Sequence, residues 1–169
     1  MRNKIVVSTD KMKISIESSK PKPDNVKDVI NIEQMKQLVK IFNNFCKTTT
    51  EKGTTIGDLE QALDFKLGDK TKEMLIEIGS IRVRDFYLPT NSDLIKLTNE
   101  WRNTVAKDSH KDKLMVIESD NGDYTLVDKR DMIYVYDHKT KKTECYDEDV
   151  VTHIAKHIMS KIVGDKYEY

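Results

Sequence analysis

Leu114-Met115-Val116-Ile117, Tyr124-Thr125-Leu126-Val127, Met132-Ile133-Tyr134-Val135-Tyr136 and Lys142-Thr143-Glu144-Cys145-Tyr146 are four short runs rich in β-branched and aromatic residues. Ser119-Asp120-Asn121-Gly122 separates the first two, and Asn-Gly is the pair that tolerates positive φ in a tight hairpin. Asp128 to Asp131 supplies a second turn. Strands joined this closely are antiparallel, because a parallel pair needs a crossover of about a dozen residues or more. The stretch predicts an antiparallel β-meander.

Downstream, a helix is expected to begin near Asp147. Asp147, Glu148 and Asp149 suit the positive end of a helix dipole, and Val150, Val151, Ile154, Ile158 and Ile162 recur with helical spacing. Gly164 stops the pattern, and Asp165 to Tyr169 reads as a frayed tail.

Upstream, helical periods dominate. Asn31 caps a helix expected to run to Cys46, with Gln34 placed for a capping box and Ile32, Met35, Leu38, Val39, Phe42 and Phe45 facing inward. Lys47 to Gly53 reads as a polar loop. A second helix spans Thr55 to Leu63, and a third is capped by Asp69, carries Met74, Leu75 and Ile78 inward, and ends at Gly79. Ile81 to Leu88 reads as one strand whose change of phase implies a bulge near Asp85. Pro89 ends it, and Ser92 caps a fourth helix bearing Leu94, Leu97, Trp101 and Val105. Trp101 lies on the apolar stripe, so core packing is its expected role.

The first 30 residues differ in character. Ile5 and Val7, then Met12, Ile14 and Ile16, suggest a hairpin around Thr9-Asp10-Lys11, and the prolines of Ser18 to Asn25 favour an extended linker. Residues 1–30 are therefore read as an extension and residues 31–169 as the main domain. The expected fold class is α+β: N-terminal helices, a meander packed against helices, and a closing C-terminal helix.

A chain of 169 residues with 37% apolar and 34% charged residues is long enough to build a core without disulfides or metals. Its zero net charge argues against a dedicated nucleic-acid binder and leaves a partner's charge open. Cys46 and Cys145 fit a reduced intracellular pair. No apolar run reaches the ~20 residues that span a membrane, so no membrane partner is expected. The opening Met1-Arg2-Asn3-Lys4-Ile5-Val6-Val7-Ser8 has a shorter apolar stretch than a secretion signal, and a cytoplasmic location is the expectation.

Two stretches carry a resemblance. Ile56-Gly57-Asp58-Leu59-Glu60-Gln61-Ala62-Leu63-Asp64-Phe65-Lys66-Leu67 leads to Glu73-Met74-Leu75-Ile76-Glu77-Ile78-Gly79, and Ser119-Asp120-Asn121-Gly122-Asp123-Tyr124 leads to Ile133-Tyr134-Val135-Tyr136-Asp137-His138. In order and spacing these resemble the SUKH superfamily over roughly Asn31 to Val163. The family's proline after Leu67 is Gly68 here, and the aromatic of its third helix is absent near Glu73-Met74. The resemblance implies a twisted sheet packed on helices. It also implies an immunity-type protein that binds and neutralises a toxin domain, often a nuclease or deaminase, by occlusion. A regulatory or scaffold module, cellular or viral, is the alternative it leaves open.

Few residues are spaced as chemistry would need them. His153 and His157 stand four apart, as two metal ligands on one helix do, but the glutamate of a metalloprotease motif is replaced by Ile154, so ordinary partly exposed histidines are expected. His138 at a strand end would need a nucleophile such as Cys145, and solvent-facing His138 beside a buried thiol is the plainer expectation. Asp147, Glu148 and Asp149 are explained by the helix dipole without a cation. Neither a P-loop nor Gly-x-Gly-x-x-Gly occurs. The basic residues Arg2, Lys4, Lys11, Lys13, Lys20, Lys22 and Lys27 suit a solvated extension more simply than a docking arm. The expectation is therefore a non-enzyme with no cofactor and no metal, whose partner surface is the outward side of the meander: Asp120, Asp123, Tyr124, Tyr134, Tyr136 and Asp137. Rigid tyrosines lose little entropy on binding, although strand alternation sends some of them inward.

Overall fold

The computed structural model describes residues 3–9, 12–18, 29–104 and 111–163. Strands β1 (Asn3–Thr9) and β2 (Met12–Ser18) pair antiparallel, with Ile5 opposite Ile16 and Val7 opposite Ile14, as the N-terminal apolar pattern implies. Ser18, expected to open the linker, instead ends β2. The rest of that linker (19–25), Val105, Gly164 and the tail lie outside the described residues, as do the side chains of the N-terminal basic residues.

Helix α1 (Ile32–Ile41) carries the foreseen capping box, Asn31 Oδ1 accepting from the Gln34 amide while Gln34 Oε1 accepts from the Asn31 amide, each at 2.9 Å. It stops well short of Cys46. Asn43 and Asn44 are weak helix formers, and the Phe45 and Cys46 amides both turn back to the Phe42 carbonyl. Phe45 is consequently 53% exposed rather than inward, and Cys46 is buried. Part of the expected loop at Lys47–Gly53 is strand β3 (Lys47–Thr49), wholly exposed and so without an apolar signature.

Helix α2 (Ile56–Leu63) is capped by Thr55 and closed by Asp64 in the left-handed conformation. Helix α3 (Asp69–Glu77) follows, and its N-cap is Gly68, with no side-chain cap of its own, where Asp69 was expected. Ile81 to Leu88 is a tight hairpin, not a bulged strand: β4 (Ser80–Val83) and β5 (Phe86–Leu88) join through Arg84 and Asp85, with Arg84 at φ 52°. The change of apolar phase marks this turn. Helix α4 (Asn91–Thr104) begins after Thr90, and Ser92, expected as its cap, lies in its first turn and binds the Glu51 carboxylate.

A 3₁₀ turn at Lys111–Lys113 leads into the meander of β6 (Leu114–Asp120), β7 (Asp123–Asp128), β8 (Met132–Asp137) and β9 (Lys142–Asp149), antiparallel in sequence order. Asn121 and Gly122 alone make the first turn, both at positive φ. The closing helix α5 (Val150–Val163) starts after Asp149, because the three expected helix-leading acids still belong to β9. A second sheet has the order β3-β4-β5.

The protein is thus α+β, with the meander covered by helices. Alternation splits its two faces. Met115, Ile117, Val127 and Ile133 join the main core with α1, α2, α3 and α5. Leu114, Val116, Leu126 and Tyr136 form a second cluster with Trp101 and Leu97 of α4. Trp101 is 1% exposed, in keeping with its expected core role.

The turn between β7 and β8 clasps two helices to this sheet. Asp131 Oδ1 accepts from the Thr71 amide (2.8 Å) and hydroxyl (2.7 Å), and Oδ2 accepts from the Lys70 amide (3.2 Å), capping α3 from 60 residues away. The Asp131 carbonyl also accepts the first amide of α5, from Val150, at 2.9 Å. Gly68 is required here for space: a Cβ would lie 2.2 Å from Asp131 Oδ1.

Candidate functional site

Turn chemistry fixes the free end of the meander, where three of the six expected partner-binding residues stand. Asp123 opens β7, and its Oδ1 accepts the His138 backbone amide at 2.8 Å and meets His138 Nδ1 at 2.6 Å. These bonds hold its carboxyl below the usual carboxylate range. Asp137 ends β8, accepts the Lys139 and Thr140 amides at 2.7 and 3.3 Å, and is lowered for that reason. Asp120 is exposed at the end of β6. Exposed Lys139, Lys141 and Lys142 make this tip bipolar.

All three tyrosines fall on one sheet face, since Tyr124 pairs with Tyr136, and Leu126 with Tyr134, across the strands. Helix α4 lies on that face, however. Tyr136, 9% exposed, packs with Trp101 and is a core residue, which corrects its expected surface role. Tyr124 and Tyr134 are half-buried. The Tyr124 and Tyr136 rings stand 6.1 Å apart. The Tyr134 hydroxyl donates to Asp128 Oδ2 at 3.2 Å. Beside Tyr134 runs a groove of about 800 Å³, lined also by Phe65, Asp112, Lys113, Arg130 and Cys145.

Asp128 organises the neighbouring turn. Its carboxylate accepts the Arg130 and Met132 amides at 2.8 and 3.0 Å and the Arg130 guanidinium at 3.0–3.1 Å. Burial opposes its charge, but the Met132 and Arg130 bonds prevail and lower its pKa.

His138 and Cys145 do not form a nucleophile–base pair: the imidazole is bound to Asp123, while Cys145 lies opposite Tyr134 across the strands. Cys145 is also exposed, where a buried thiol was expected; Cys46 is the buried one. Among the acids before α5, Asp149 takes Lys70 Nζ (3.0 Å) and the Thr152 amide (2.9 Å). Glu148 takes Lys156 Nζ (2.6 Å) and His153 Nδ1 (3.1 Å). Burial works against the Glu148 charge, yet those two partners pull its pKa down to about 2.

The histidine pair is brought together with a residue that sequence reading overlooked. The His153 and His157 rings are 4.5 Å apart, and Glu118 of β6 faces both, the donor atoms of all three lying within 4.8 Å of one another. Both histidines are half-buried, in keeping with the partial exposure expected of them. Burial, then the neighbouring His153 and Lys161, pushes the His157 pKa down to about 4. Burial likewise raises that of Glu118. The spacing His153-x-x-x-His157 was a visible signal for two members, but nothing in the sequence marks Glu118.

No protein-family model matches the chain, and a search of curated proteins finds no match. What fold and surface define is a class: an α+β domain whose antiparallel meander, covered by helices on both faces, presents a hydrogen-bonded bipolar tip. Among the described residues no helix is long and apolar enough to cross a membrane.

Proposed function

We propose that the chain is a non-catalytic protein-binding module of the immunity type, acting in the cytoplasm by occluding a cognate toxin domain, in line with its resemblance to the SUKH superfamily. The observation that carries this reading is the pre-set tip. Asp123 and Asp137 are already clamped by turn amides, so docking does not have to order them. Each side chain fixed beforehand spares about 0.5–1.5 kcal/mol on association. Tyr124 and Tyr134, backed by Tyr136 and Trp101, add rigid aromatic surface next to the groove. A partner complementary to Asp120, Asp123 and Asp137 and also to Lys139, Lys141 and Lys142 must itself carry both signs, which fixes its register. A nuclease or deaminase domain supplies the basic part through the cleft that receives its anionic substrate. A regulatory or scaffold role would use the same surface on a different partner.

Asp120→Ala and Tyr124→Ala test the surface, measured by calorimetry against a toxin domain encoded beside this chain's gene, where such a reading frame is found. Together they are expected to weaken a one-to-one complex at least tenfold while far-UV circular dichroism is unchanged. Unaltered affinity would remove the tip as the binding surface.

A further inference from the structure

The bulge in β6 gives Glu118 its direction. Val116 pairs with Leu126 and Glu118 with Thr125, so Ile117 is the extra residue, and Glu118 joins the face on which α5 packs. Regular alternation would have sent it to the other face; bulges re-aim side chains in this way, often at functional sites. Aimed so, Glu118 meets His153 and His157, one helical turn apart on α5.

We propose that Glu118, His153 and His157 form a binding site for a divalent transition-metal ion, zinc being the one whose preferences they meet best. Two donor atoms at the centre, Glu118 Oε2 and His153 Nε2, are hidden from solvent and have no hydrogen-bond partner. Buried polar atoms are rarely left so, because each costs roughly 1–3 kcal/mol unsatisfied. A cation between them satisfies both. Glu148 accepts from His153 Nδ1, which leaves Nε2 as the free lone pair; this carboxylate–histidine arrangement is how metal-bound imidazoles are oriented. Lys156 holds Glu148 in turn, and Phe86, stacked on His157 at 5.5 Å, positions the second ring. Zinc–nitrogen bonds of about 2.0–2.1 Å place tetrahedral donors about 3.3 Å apart, so side-chain shifts of about 1 Å close the present spacing. Two imidazoles and one carboxylate, with no thiolate, suit zinc and leave one position for solvent or a ligand. Lys161, the nearby cation, has its charge met by Asp85 at 2.8 Å. The group of half-buried Asp123 and Asp137 with exposed His138 is the rival location.

The test uses the full chain, stripped with chelator and titrated with Zn²⁺ by calorimetry and with Co²⁺ by visible absorption. One equivalent is expected, with cobalt bands of a low-symmetry site and no thiolate charge transfer. Glu118→Gln and His157→Gln should each weaken binding at least 100-fold. Glu148→Gln should weaken it about 10–100-fold at unchanged stoichiometry, as loss of an orienting carboxylate does. His138→Gln should change nothing. If a ligand variant does not fold, the unmodified chain decides: Co²⁺ must broaden the ring proton signals of His153 and His157 and spare those of His138. Absence of a stoichiometric site, a thiolate band, or binding lost in His138→Gln would overturn the proposal.

Discussion

Replacing Gly68 with alanine should destabilise the fold, and replacing Asp131 first should abolish most of that cost. The Asp131 carboxylate makes three hydrogen bonds to the start of α3, and Thr71, which supplies two of them, is fully buried. Asp131→Ala strands that amide and hydroxyl and removes a negative charge from a helix N-terminus; summed without assuming additivity, the loss is about 3 kcal/mol. Gly68→Ala places a Cβ 2.2–2.5 Å from three Asp131 carboxyl atoms, so the carboxylate must leave its cap. Gly68 has φ −68°, open to any residue, so backbone strain adds nothing. The expected cost is therefore similar, about 2–3 kcal/mol. In the double variant the clash and the cap vanish together, and the total should stay near 3 kcal/mol, a coupling of about 2 kcal/mol. Urea denaturation of the four proteins measures this, and each single variant should melt about 4–12 °C lower. Strictly additive losses would refute the capping of α3 from the β7–β8 turn.

Three further outcomes follow from the same packing. Trp101→Ala should cost about 3–5 kcal/mol in urea denaturation, and Trp101→Phe less than half of that, because the indole Nε1 has no partner to lose. A thiol reagent should label Cys145 at once and Cys46 only on unfolding, since Cys46 is buried and its thiol pKa is raised by that burial; Cys145→Ser should abolish labelling of the native protein. Asp128 has a carboxyl pKa below its ordinary value, so its contribution is present above about pH 4 and is lost as pH falls through the lowered value. Asp128→Asn should lower the urea midpoint at pH 7 and reduce its further fall on acidification, and an equal acid-induced fall in both proteins would contradict this.

Local chemistry made the meander and the helix stripes legible, and distance hid the rest. Asn121-Gly122 and the alternating runs around it name a hairpin without tertiary help, and Asn31 with Gln34 names a helix start. Strand β3 gave no such signal because all three of its residues face solvent. The turn at Arg84 was hidden because a positive φ there falls on arginine rather than glycine or asparagine. The role of Gly68, seen in the sequence only as a missing proline, depends on a carboxylate some 60 residues away. Tyr136 reads as outward or inward by alternation alone; the position of α4 across that face decides, and no local pattern records it. Glu118 was overlooked for a related reason, since the bulge that turns it toward His153 and His157 exists only in the pairing of β6 with β7.

Stoichiometry separates gripping from catalysis. A candidate toxin domain, held at fixed concentration well above the dissociation constant, would be titrated with the purified chain while its own activity is followed. Occlusion predicts a linear fall to zero at one chain per toxin, with the complex recovered intact and active toxin released on separation. Toxin destroyed by far less than one equivalent, or fully active beside an excess of the chain, would contradict the account.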